Sequence, residues 1–159
     1  SYHVRPRSRG TVTLRSKDLR VAPLIDPNAF AEPYDLERAV DGIKISQEIL
    51  SQAAFKPFVR RLHLPDGNIR TQAEYREFAR QYARSAYHPV GTCRMGSADD
   101  AVVDPELKVR GIDGLRVCDS SVMPRLISSN TNAATVMIAE KAADILKGVT
   151  QVSTQHEYA

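Results

Sequence analysis

The run Asn132–Lys147, NAATVMIAEKAADILK, constrains the fold more than any other stretch of the chain. No Pro or Gly interrupts it until Gly148, and Ala, Ile, Leu, Lys and Glu dominate it. A helix stopped by Gly148 is therefore expected. Its apolar residues occupy more than one face, which predicts a helix covered on most sides. The chain can supply that cover: 159 residues suffice to bury about 70% of an unfolded surface in one ordinary domain.

The remaining elements follow from periodicity and punctuation. TVTLR, 11–15, alternates polar and apolar residues and predicts a short strand with Val12 and Leu14 on one side. Residues 18–32, with Pro23 and Pro27, have no helical period and are expected to form an extended connector. Pro33 opens a helix with Asp35 and Glu37 in its first turn, where the dipole favours acids. Leu36, Ala39, Val40, Ile43 and Leu50 form its stripe. A weaker helical piece is expected at 53–61, interrupted by Pro57, and a loop at PDGN, 65–68. TQAEYREFARQYAR, 71–84, predicts an amphipathic helix with Thr71 as cap and Glu74 three residues on. Its stripe of Tyr75, Phe78, Ala79 and Tyr82 is expected to pack in a core rather than bind a cofactor. Past residue 85 the character changes, so two regions are expected. LKVRGIDGLRVCD, 107–119, gives a hairpin signal around Gly111 and Asp113-Gly114, and Pro124 forbids one continuous helix after it.

Several function classes fall away on composition. Hydrophobic residues make up 42% and charged residues 26%, a globular balance. No apolar run approaches the length of a membrane span. The net charge is +3, and the basic spots RPRSR (5–9) and VRR (59–61) lack an aromatic stacking platform, so solvated faces are expected rather than a nucleic-acid interface. Cys93 and Cys118 are too few for a disulfide framework, which slightly favours the cytoplasm; both read as small buried hydrophobes. SYHVRPRSRG has no signal-peptide core and no Met, and the chain is expected to be the C-terminal part of something longer.

Among chemical motifs, a metal is not expected: His88, Cys93 and Cys118 are suitable ligands without zinc-ligand spacing. There is no G-x-S-x-G elbow, no G-x-G-x-x-G and no Walker loop. What remains is His88 on a Pro- and Gly-stiffened loop, AYHPVGTCRMG, and Asn132 at a helix start 44 residues later. Pro89 keeps His88 out of helical geometry, and a histidine so presented can act as a general base near neutral pH. Asn132 can cap its helix or donate its amide to a substrate oxygen. The helix start supplies N–H groups and partial positive charge. A structural histidine and a plain cap explain the same residues.

The strings YHPVGTCRMG (87–96), VVDPELKVRGIDGLRVCDSSVMP (102–124) and SSNTNAATVMIAEKAADIL (128–146) closely resemble the C-terminal region of glucose–methanol–choline oxidoreductases. RPRSRGTVTLRSKD, PLIDPN and DLERAVDGIKISQEI resemble the stretch before that family's catalytic histidine. HPVGTCRMG with NTN is more similar to choline-dehydrogenase and alcohol-dehydrogenase-like members than to two-histidine sugar oxidases.

The resemblance implies an α+β chain. Residues 1–85 would be part of an antiparallel-sheet substrate domain with helices, 86–148 would complete an α/β FAD-binding fold, and 149–159 would be a polar tail. It implies an FAD-dependent alcohol oxidase or dehydrogenase with His88 as base and Asn132 as second active-site group. Asp119, Ser120, Thr131, Asn132 and Ala133 would contact FAD, Asp119 near its phosphate–ribityl part and 131–133 near its pyrimidine end. The partners implied are a small alcohol and an N-terminal FAD-binding segment or chain, without which this chain would be inactive. Two alternatives stand beside it: a hydroxynitrile-lyase-like member using the same histidine without flavin redox, and a non-catalytic interaction module.

Overall fold

The structure, a computed structural model, describes residues 3–65 and 69–149. Most of the PDGN loop and of the tail at 149–159 lie outside the described residues. In chain order the elements are β1 (Thr11–Thr13), β2 (Leu24–Asp26), α1 (Pro33–Ser51), α2 (Gln72–Tyr82), a 3₁₀ turn (Ser120–Val122) and α3 (Asn132–Lys147), an α+β set. The chain separates into two compact units, Ser1–Tyr87 and His88–Ala159.

In the first unit β1 is where alternation places it, but its partner was hidden in the expected connector. β2 pairs with it antiparallel, Thr11 opposite Asp26, Val12 opposite Ile25 and Thr13 opposite Leu24. Three residues between Pro23 and Pro27 are too few to show a period. Gly10 is required here, because a Cβ on it would lie 2.1 Å from the Asp26 carbonyl oxygen.

α1 and α2 pack through Leu36, Val40 and Ala79, with Ala39, Ile43 and Tyr75 partly buried around them. Leu50, assigned to the stripe, is exposed, and so is Tyr82, which stacks on Phe78 instead of entering the core. Polar bonds then tie the helices: Arg76 Nε and Gln72 Nε2 donate to the two Glu37 oxygens, each at 2.7 Å, and the Tyr75 hydroxyl donates to Gln47 at 2.6 Å. Glu37 thus serves the interhelix contact rather than the first turn, and the Arg76 guanidinium holds its carboxyl below the usual range. The helical piece expected at 53–61 is a set of turns. Phe55, Lys56, Phe58 and Val59 make i−3 and i−4 bonds, but Pro57 has no N–H with which to continue.

The α2 start is a full capping box: the Glu74 N–H donates to Thr71 Oγ1 at 3.2 Å, and Glu74 Oε2 accepts the Thr71 N–H at 2.8 Å. Thr71→Ala is expected to cost about 1 kcal/mol locally, seen as roughly fivefold faster hydrogen exchange of the α2 amides. Unchanged exchange would contradict that role for Thr71.

The second unit is built on Val103, Leu107, Val122, Met123, Ile138 and Ala142. The expected hairpin at 107–119 is a short one: an antiparallel bridge of Lys108 with Arg116, flanked by the Val109 N–H donating to the Leu115 carbonyl at 2.9 Å and the Val117 N–H to that of Leu107 at 3.1 Å. α3 ends at Gly148 in the left-handed conformation, as expected. Its burial is narrower than its composition suggests: Ile138 and Ala142 are buried, whereas Val136 and Met137 are 52% and 59% exposed. Cys118 is half-buried against the core rather than fully inside, and Cys93 is also half-buried. Among the described residues no helix is long and apolar enough to cross a membrane.

Candidate functional site

His88 begins the second unit, and the chain after it is fixed by both packing and hydrogen bonding. Val90 packs on the core two residues on. Gly91 turns the backbone at φ 92, a conformation that Cβ-bearing residues rarely hold. The chain then runs beside the 3₁₀ turn: the Cys93 N–H donates to the Ser121 carbonyl at 3.0 Å and the Met95 N–H to that of Val122 at 2.8 Å. The histidine therefore sits on a loop clamped a few residues downstream.

The half-buried imidazole meets the start of α3, where His88 Nδ1 lies 2.9 Å from Thr131 Oγ1. Thr131 is buried and is the N-cap residue of α3, yet its side chain makes no cap bond. Asn132 is the first helical residue, where the expected run begins, and Thr131 takes the cap position that Asn132 could also have filled. The cause is local: Thr131 already has helical dihedrals, φ −78 and ψ −12, and its carbonyl accepts from the Thr135 N–H and hydroxyl. Asn132 and Ala133 are exposed on the first turn, where the helix carries partial positive charge.

Asp119 and Ser120 stand at the 3₁₀ turn. Asp119 Oδ1 accepts the Ser121 N–H at 2.8 Å, so this carboxylate caps its own turn while remaining exposed. Among the described residues neither Asp119 nor Ser120 hydrogen-bonds to His88 or Thr131. The structure thus brings His88 and Thr131 together, with Asn132 and Ala133 following on the helix, and keeps Asp119 and Ser120 in a separate turn. The Thr131 side chain is the contact to His88 that sequence reasoning missed: the resemblance drew attention to its backbone, and no local pattern links residues 43 apart.

Comparison with known proteins decides the lineage of this arrangement. The C-terminal model of the GMC oxidoreductases matches residues 6–139. The chain belongs to the GMC oxidoreductase family. The oxygen-dependent choline dehydrogenase 1 of Chromohalobacter salexigens is 45% identical over 147 residues, covering 91% of this chain and 26% of that protein. Pyridoxine 4-oxidase from Mesorbium loti superposes with a TM-score of 0.86 at 33% identity, covering 93% of this chain and 29% of the other. A formate oxidase variant from Aspergillus oryzae RIB40, described for the effect of a mutation on FAD modification, gives 0.86 at 34% identity, covering 91% and 26%. This GMC chain therefore spans about a quarter of the length of the relatives it matches. GMC relatives and structural neighbours are FAD-dependent oxidoreductases, and the α+β class agrees with theirs.

Proposed function

We propose that this chain is the C-terminal segment of an FAD-dependent oxidoreductase that converts the CH–OH group of a small alcohol to a carbonyl, with His88 as the base. The observation that carries the reading is the imidazole of a GMC chain held on a clamped loop at the positive end of a helix. Residues 1–85 would contribute to the substrate side and residues 86–148 would complete the FAD-binding fold. The remaining flavin contacts would come from an N-terminal segment or chain, without which this one does not turn over.

The residues present fit the cofactor on a structural ground. The Thr131 hydroxyl, turned to His88, does not cap α3, which leaves first-turn N–H groups that suit an electron-rich carbonyl edge. Thr131, Asn132 and Ala133 would hold FAD at its pyrimidine end, and Asp119 and Ser120 would meet its ribityl–phosphate part. When bound, FAD supplies the two-electron acceptor.

The chain's own residues manage the proton. With Nδ1 engaged by Thr131, His88 has Nε2 left to take the hydroxyl proton. The exposed Asn132 amide can donate to the same substrate oxygen as negative charge develops there. Asn132→Ala in the full-length flavoprotein is expected to slow flavin reduction about a hundredfold, the usual effect of losing one such donor. An unchanged rate would remove Asn132 from the site.

Anaerobic mixing of the full-length protein with primary alcohols, choline first, tests the reaction itself. The flavin absorption is expected to bleach with one carbonyl product formed per flavin. Substrate conversion with the flavin still oxidised would mark a lyase and overturn the reading.

A further inference from the structure

Two threonines stand at the same position of two helices and behave in opposite ways. Thr71 precedes α2 with ψ 154, and its hydroxyl accepts the Glu74 N–H, as an N-cap threonine ordinarily does. Thr131 precedes α3 with ψ −12, makes no side-chain cap, and places Oγ1 2.9 Å from His88 Nδ1. The protein thus forgoes a cap at one helix and uses the hydroxyl on the one histidine of the site. A local rule broken in this way, at a buried residue, marks a contact with a purpose.

We infer that Thr131 is a positioning residue for His88: its hydroxyl accepts the Nδ1–H, fixing the tautomer in which Nε2 bears the lone pair. This rests on the reading of His88 as base and deepens it. The direction of the bond follows from the proton cycle. If Thr131 donated to Nδ1, neutral His88 would carry its proton on Nε2 and could not accept another there. If Thr131 accepts, one contact serves both neutral imidazole and imidazolium, because Nδ1 holds its proton in each. The ring then keeps its orientation while Nε2 gains and loses a proton. The reaching threonine is the residue just before the first turn of α3, so the same helix start that would face FAD also orients the base.

Thr131→Val keeps the shape and removes the acceptor, and since no cap is lost α3 keeps its start. In the full-length flavoprotein, flavin reduction at saturating alcohol is expected to fall about tenfold, the scale of one hydrogen bond, with little change in the half-saturating concentration. Thr131→Ser should recover most of the rate. Selective ¹⁵N-histidine NMR of the resting protein, with His88 assigned by its loss in His88→Gln, should show a protonated Nδ1 in wild type and a tautomer mixture in Thr131→Val. A wild-type rate in Thr131→Val, a Thr131→Ser variant as slow as the valine variant, or an unaltered nitrogen signature overturns the inference. The NMR readout needs no turnover, so it tests the contact even if His88→Ala shows that another group is the base.

Discussion

His88→Ala in the full-length flavoprotein is expected to lower the rate of alcohol-driven flavin reduction by about 10²- to 10⁴-fold, the usual span for a lost general base. Flavin content should hold, because the main-chain donors at 131–133 and the Asp119 turn do not depend on the imidazole. Added imidazole should restore part of the rate, since the deletion leaves a space beside Thr131. Alanine suits this test, as the ring's only side-chain hydrogen bond among the described residues is to Thr131. Reduction at the wild-type rate would remove His88 from the chemistry.

The second large effect concerns stability. Asp35 is buried at the start of α1, and its carboxylate accepts the N–H groups of Arg7 and Ser8 and the Ser8 hydroxyl. Those donors lie 27 and 28 residues earlier in the chain, so one side chain fastens the N-terminal arm to the helix. His3 Nδ1 stands 3.6 Å from the same carboxylate. Asp35→Ala leaves the part-buried Arg7 and Ser8 donors without their acceptor and is expected to cost about 2 kcal/mol. A lower urea midpoint, with protection lost along residues 7–8, would show it; an unchanged midpoint would contradict it. Burial pushes the Asp35 carboxyl up, but the Ser8 hydroxyl and the Arg7 and Ser8 N–H groups outweigh it and hold the group below its ordinary range. The sign follows from that depression. The contribution is full above the unfolded carboxylate value of about 3.9 and is lost as pH falls through the lower folded value. Acid unfolding of Asp35→Asn should therefore be less steep than that of the wild type.

What could be read from the chain alone is what depends on neighbours in sequence. The α2 capping box, the Pro33 start of α1 and the Gly148 stop of α3 are local bargains between backbone and adjacent side chains, and all three stand as expected. The errors lie where the deciding partner is distant. β2 is a strand because β1 pairs with it, and Glu37 is drawn from a dipole role by Arg76 on another helix. Asp35 is the first-turn acid expected, but its hold on the arm at 7–8 depends on residues 27 and 28 positions away. The site divides in the same way. His88 and Asn132 stood out through loop and helix-start chemistry, whereas the Thr131 hydroxyl became visible only when the fold brought together residues 43 apart.

The pH dependence of alcohol-driven flavin reduction, measured anaerobically in wild type and His88→Gln, tests the central claim most directly. A base must be unprotonated to act, so the wild-type rate should rise with pH through the loss of one proton and then level. In His88→Gln that limb should vanish, leaving a slow rate insensitive to pH. The same rising limb in both proteins would show that another group takes the proton, and His88 would no longer be the base.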